Sequence, residues 1–353
     1  EKVRSREIYD PVLTFQLSND FHVRRVIRNY LPNDEESKHC ATLLQWDNIY
    51  YQPPTQSIVE KRPTVRIGMV QWQMRPYNSI DDLFEQVEFF VDSVSDYKSD
   101  FILFPEYFNA PLMARFNDMG EAQSIRAMAQ YTEKIRDRFV ELAISYNINI
   151  ITGSMPFVKE DGALYNVGFL CRRDGSYEMY EKIHVTPDEQ KCWGLTGGSH
   201  VQTFDTDCGK IGILICYDVE FPELSRLMAD DGMQILFVPF MTDTQNAYSR
   251  VRVCAQARAI ENECYVAIAG SVGNLPRVHN MDIQYAQSAV FTPCDFAFPN
   301  DGKRSEATPN TEMILVSDVD LNLLNELHTY GSVRNLRDRR NDLYELRMKP
   351  AAK

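Results

Sequence analysis

Three residues of the chain carry the groups that acyl transfer needs: Glu106, Lys182 and Cys216. Each stands where a strand is expected to stop. Residues 211–215 are apolar but for one glycine and end abruptly in Cys216, after which acidic residues and Phe221-Pro222 open a helical segment. A thiol at such a strand-to-helix turn points into the cleft above the strand ends, where it can act as a nucleophile once ionised. Taken alone, the same residue reads equally well as a buried, inert cysteine. Upstream, the apolar run FILFPEYF sets Glu106 at a strand end, just after a proline that cannot continue a ladder. Lys182 closes the alternating segment YEMYEK. A carboxylate to take the thiol proton, a thiolate to attack a carbonyl and an ammonium to oppose the developing oxyanion make a complete set.

The strings that hold these residues resemble the nitrilase superfamily of carbon–nitrogen hydrolases. The resemblance runs over residues 65–344 and rests on FPE at Glu106, EKIH at Lys182, CYD with FPE and Arg226 after Cys216, and RAIEN from Arg258 to Asn262. It implies Cys216 as nucleophile, Glu106 as general base and Lys182 as transition-state stabiliser. It also implies a second glutamate near the lysine, best matched by Glu189, and a four-layer αββα sandwich. Tyr107 and Tyr217, beside the base and the nucleophile, are expected to touch substrate, together with Phe240, Thr242 and Asn246. If the loops after Glu106 and Pro239 both face Cys216, then Phe108, Leu112, Met113 and Phe116 join Phe240 and Met241 in an apolar acyl pocket.

The chain around these motifs alternates strand and helix. A strand over 65–73 leads to a capping box at Ser79 and Asp82. Leu83, Val87, Phe90, Val91 and Val94 then follow at helical spacing. A helix is expected over 121–147 and strands near 148–153, 166–171 and 177–182. Beyond the nucleophile come a helix from Pro222, a strand over 235–239, a helix over 247–261 and a strand over 264–270. Residues 1–60 stand apart as a small β-rich extension, with strands expected at 12–17, 22–26 and 41–46 and a proline-rich linker over 52–63. Their wording resembles the last strands of a GNAT-type acetyltransferase domain, of the kind fused ahead of nitrilase-like domains. Since the glycine-rich acetyl-CoA loop is missing from the sequence, no acetyltransferase activity is expected. The resemblance implies that residues 61–353 form the hydrolase domain.

Composition narrows the function classes. The 353 residues are 44% hydrophobic and 25% charged, as a globular enzyme requires, and the net charge of −13 argues against nucleic acid or an anionic membrane. The eight cysteines lack zinc-like spacing and read as reduced thiols of a cytoplasmic protein. No apolar run is long enough to span a membrane. No cofactor or metal is expected, GxSxG is missing, and Asp205 to Asp207 read as a polar turn. His184 reads as a structural donor and Arg258 with Glu261 as an internal ion pair. The basic run 334–340 reads as a subunit contact or a solvated helix, in keeping with a homodimer or higher homo-oligomer. The expected activity is hydrolysis of a small amide or N-carbamoyl compound through a cysteine thioester. A catalytically idle binding module and a true nitrilase are the alternatives.

Overall fold

Residue alternation builds the central strand. In β3 (Thr64–Met74), Val65, Ile67 and Met69 are fully buried on one face, while Val70, Trp72 and Met74 are buried on the other. Both faces are therefore covered, as in a sheet lying between two layers. The computed structural model describes residues 2–3, 5, 7–19, 21–28, 35, 37–46, 64–116, 118–276, 278 and 281–349. The expected linker over 52–63 lies outside them. Contacts divide the chain into two units, Glu1–Glu60 and Lys61–Lys353.

The first unit holds α1 (Pro11–Ser18) and the antiparallel pair β1 (Phe21–Arg28) and β2 (Cys40–Trp46). The expected strand at 12–17 is thus a helix. Asp10 accepts the Leu13 N–H at 2.8 Å, and Pro11 at the first helical position fits the fixed φ of a helix start. The Asp-Pro pair that reads as a turn is a cap, and it outweighs the alternation of VLTFQL.

The second unit continues through α2 (Ile80–Asp96), whose capping box forms with both reciprocal bonds, and β4 (Phe101–Leu103). After a 3₁₀ segment over Ala110–Phe116 come α3 (Glu121–Met128) and α4 (Thr132–Ser145). The single helix expected over 121–147 is therefore broken. At the break, the buried Thr132 hydroxyl donates to the Pro156 carbonyl at 2.6 Å, a tertiary bond that local periodicity does not reveal. Then follow β5 (Asn149–Ile151), β6 (Met155–Val158), β7 (Leu164–Cys171) and β8 (Tyr177–Glu181). The second half comprises β9 (Thr203–Thr206), β10 (Gly209–Ile213), α5 (Pro222–Asp230), β11 (Ile235–Phe240), α6 (Gln245–Glu261) and β12 (Tyr265–Asn274). Short strands β13 (Ile283–Gln284), β14 (Ala289–Phe291) and β15 (Lys303–Glu306) precede β16 (Met313–Asp320) and α7 (Leu321–Tyr330).

Hydrogen bonding runs in the order β6-β7-β5-β4-β3-β12-β11-β10-β9, with β16 antiparallel to β3 and β8 antiparallel to β7. The two halves are hydrogen-bonded where Ser271–Gly273 of β12 meet Trp72–Met74 of β3. Elsewhere they pack face to face. Phe101 of β4 and Phe237 of β11 meet across the interior with ring centroids 5.2 Å apart. Residues 65, 67, 69, 101, 103 and 151 share that inner core with Ile211, Ile213 and Phe237. On the outer face of the first half, Val70, Ile102 and Ile150 pack with α2 and α4 residues such as Val87, Val91 and Phe139. This is an α/β fold of the αββα sandwich type.

The basic run 334–340 forms turns rather than a helix. Arg339 pairs with Asp230, and Glu263 accepts the Asn335 N–H, so the tail is held to the domain in a non-helical path.

Candidate active site

Glu106, Lys182 and Cys216 follow β4, β8 and β10 respectively, and the sandwich brings all three to one cavity of about 610 Å³. Glu189 lines it as well. All four are nearly inaccessible, with Glu106 1%, Lys182 2%, Glu189 6% and Cys216 7% exposed. The Lys182 ammonium donates to Glu106 Oε1 at 2.8 Å and to Glu189 Oε1 at 2.7 Å. A buried cation is costly without partners, and here two carboxylates supply them.

Each group is held by further bonds. Asn166 Nδ2 donates to Glu106 Oε1 at 2.9 Å and the Met241 N–H to Glu106 Oε2 at 3.0 Å. Gly153 lets the Glu106 segment pass. Its φ of +71° favours glycine, and a Cβ there would sit 2.0 Å from the Pro105 carbonyl oxygen. Glu189 accepts the Tyr107 hydroxyl at 3.2 Å and the Thr186 N–H at 2.8 Å, while its own N–H donates to Thr186 Oγ1 at 3.2 Å. The last two bonds are a reciprocal cap at the start of a helical turn that continues through Glu189–Trp193. The sequence shows its signature as Thr186-Pro187-Asp188-Glu189.

Cys216 begins a short turn, Cys216–Glu220, with its own φ at +49°; Tyr107, just after Glu106, has φ +50°. Side chains rarely adopt this region, and such strain gathers at functional sites. The Tyr107 N–H is held by the Ser154 carbonyl at 2.8 Å, and the Cys216 turn is held by its neighbours. Asp218, fully buried, accepts the N–H groups of Ile183 at 3.0 Å and His184 at 2.7 Å, and lies 2.9 Å from His184 Nδ1. His184 stacks on Phe221, centroids 3.6 Å apart. Arg258 braces the same turn from α6, donating to the carbonyls of Val219 at 2.9 Å and Glu220 at 3.3 Å while pairing with Glu261 at 2.7 Å.

Burial sets the proton affinities. It pushes the Cys216 thiol well up, and the Glu106 carboxylate adds to this against the opposing pull of Lys182. Burial also raises Glu106 above the ordinary carboxylate range, with Lys182 opposing and Glu189 adding. For Lys182, burial alone would favour the neutral amine. Glu106 and Glu189 outweigh it and hold the ammonium well above its usual value. The resting thiol is therefore protonated beside a carboxylate of enhanced basicity.

Of the residues expected to contact substrate, Tyr107, Tyr217 and Thr242 line the cavity. The Thr242 hydroxyl donates to the Tyr285 carbonyl at 2.7 Å. Phe240 and Asn246 do not line it. Phe240 is fully buried against Tyr248 and Gly270, and Asn246 lies exposed in the first turn of α6. Nor do Phe108, Leu112, Met113 and Phe116 form an acyl pocket. They pack with the outer core, where Phe108 stands 5.5 Å from Phe139 and 6.0 Å from Trp72 between centroids. Aromatic residues in a loop after a catalytic-looking motif gain more by joining the core than by lining a wet cavity. Met241, also expected in that pocket, does line the cavity, and Trp193, Ala247 and Val251 complete its apolar wall. The sequence assigns no role to Asn166 or Asp218, which position the site. Asp218 stands in the CYD string, but a lone Asn inside a strand carries no signal.

A layered α/β sandwich with a thiol, an ammonium and two carboxylates gathered at its strand ends has the architecture of the carbon-nitrogen hydrolases. The chain belongs to that family, whose sequence profile matches residues 66–329. It is 48% identical over 350 residues to the probable hydrolase YhcX of Bacillus subtilis, covering 99% of this chain and 68% of that protein. Human omega-amidase NIT2 is 28% identical over 299 residues, 80% of this chain and 98% of that one. In fold, it resembles a carbon-nitrogen hydrolase from Helicobacter pylori with a TM-score of 0.68 at 22% identity, over 80% and 98% of the two chains. An amidase from Nesterenkonia sp. gives 0.63 at 21% identity, over 80% and 96%. No helix among the described residues is long and apolar enough to cross a membrane.

Proposed function

We propose that the chain is an amidase for small, non-peptide substrates and works through a thioester on Cys216. The observation that carries this reading is the Lys182 ammonium bonded to both Glu106 and Glu189 at the buried end of a cavity that Cys216 also lines. Glu106 takes the thiol proton as sulfur attacks the amide carbonyl, and the oxyanion forms opposite Lys182. The tetrahedral adduct collapses when Glu106 returns that proton to the leaving nitrogen, which departs as ammonia or an amine. Water then enters, Glu106 takes one of its protons, and hydroxide attacks the thioester. Collapse releases the carboxylic acid, and the proton held by Glu106 goes back to the Cys216 sulfur. Glu189 keeps the lysine oriented and charged. A buried cation of this kind is worth far more to an oxyanion than one in water.

The names of the relatives, an omega-amidase and an amidase, favour amides over nitriles. N-carbamoyl compounds fit the same steps, since their ureido carbonyl can also lose ammonia. Free cysteines support a cytoplasmic setting, and exposed Leu343 and Tyr344 near the C-terminus support a homo-oligomer. Ammonia release from a panel of small amides tests the reading. Turnover lost in Cys216→Ala supports it, and turnover retained there refutes it.

A further inference from the structure

The wall of the cavity beyond the buried groups is acidic. Among the described residues that line it, Asp188, Glu220, Asp243 and Asp282 face the single cation Arg250, a net charge of −3 on those side chains. Arg250 is 61% exposed and already stands 3.5 Å from Glu220. Among the described residues, no cation or hydrogen-bond donor meets the carboxylates of Asp188, Asp243 or Asp282. They come from three separate segments: the turn before Glu189, the loop after β11, and the segment between β12 and β13. All three are exposed, whereas Glu106, Lys182 and Cys216 are buried, so the mouth carries the free negative charge and the floor carries the chemistry. Met241, Ala247 and Val251 line the same cavity and offer an apolar wall for a short methylene chain.

Resting on the reading of this cavity as an acyl-transfer site, we propose that the substrate is an amide whose far end bears a protonated amine, held by Asp188 and Asp243. An ammonium at the mouth meets carboxylates that have no partner among the described residues, while a carboxylate there would meet repulsion and a guanidinium already engaged. Each ammonium–carboxylate contact at a wet rim is worth on the order of fivefold in affinity, so two give a preference of tens of fold.

The test compares kcat/KM for three primary amides of equal length ending in ammonium, methyl or carboxylate. The expected order is ammonium first and carboxylate last, with the gap shrinking as salt is added, because charges at the mouth are screened. In the Asp188→Asn/Asp243→Asn protein the ammonium-to-methyl ratio should fall by roughly tenfold or more. A ratio at or below one in the unaltered chain, or one unmoved by the double substitution, overturns the proposal while leaving amide hydrolysis standing. If none of the three amides is turned over, calorimetric titration of the Cys216→Ala protein with pentylammonium and pentanoate decides the matter without chemistry. Tighter ammonium binding sustains the charge assignment, and equal or reversed affinities refute it.

Discussion

Asp218, two residues after Cys216, accepts the backbone N–H of His184, two residues after Lys182, at 2.7 Å. One buried carboxylate thus ties the turn that carries the thiol to the strand end that carries the ammonium. Its second bond, from the Ile183 N–H at 3.0 Å, closes the clamp. The distance between nucleophile and cation is therefore set by a backbone-to-carboxylate link and not by loop packing alone.

Asp218→Asn should loosen that clamp. An amide oxygen cannot replace both carboxylate oxygens, and its NH2 would face a backbone donor. A loss of about 1–3 kcal/mol in stability is expected, read as a lower urea midpoint with an unchanged slope. kcat should fall more than KM rises, because the groups lose alignment rather than affinity. Unchanged stability and kcat would show that the clamp is dispensable.

Lys182→Ala removes the cation from between two carboxylates. The rate should drop by roughly 10²–10³, the usual cost of one oxyanion-stabilising donor. Glu106 and Glu189 would then face each other buried and unpaired, at a stability cost of about 3–5 kcal/mol. Adding Glu189→Gln should recover part of that stability and none of the activity. If the double variant is no more stable than Lys182→Ala, the charge argument is wrong.

The acid side of the pH profile follows from Glu106. The group must be ionised to accept the thiol proton, and burial holds its pKa above the ordinary carboxylate range. kcat/KM should therefore fall as pH drops through a midpoint higher than the roughly 4.3 of a free glutamate. Lys182 is held well above its usual value, so it should keep its charge through the alkaline limb. Initial rates across about pH 4–9 check this. A midpoint at or below the ordinary glutamate value would contradict it.

Much of this site was legible because each chemical residue ends an apolar or alternating run, and strand ends are where a sheet presents side chains to a cleft. The capping box at Ser79 was readable for the same local reason, and Thr186 with Glu189 could have been read alike. What stayed hidden depends on distant partners. The break at Thr132 needs the Pro156 carbonyl, and the support of Glu106 needs Asn166, 60 positions away. The helix at Pro11–Ser18 reads as a strand in sequence because an Asp-Pro cap and an Asp-Pro turn look alike there. Spacing cannot say which way the loop after Glu106 folds, so its aromatic residues read as cavity lining only if that loop faces Cys216. Phe108 turns toward Trp72 and Phe139.

Cys216→Ser separates nucleophile from scaffold. The serine hydroxyl ionises far less readily than a thiol, so turnover should nearly vanish while the fold and thermal midpoint stay close to those of the parent chain. Activity near the parent level would mean that the thiol is not the attacking group.

The central claim is a covalent acyl group on Cys216, and intact-protein mass spectrometry during turnover of an amide panel tests it most directly. The account predicts an added acyl mass that maps to Cys216, that builds up when the reaction is quenched in acid, and that is missing from Cys216→Ala. Amide turnover with no acyl mass on any residue, or with the mass on a different residue, would contradict it.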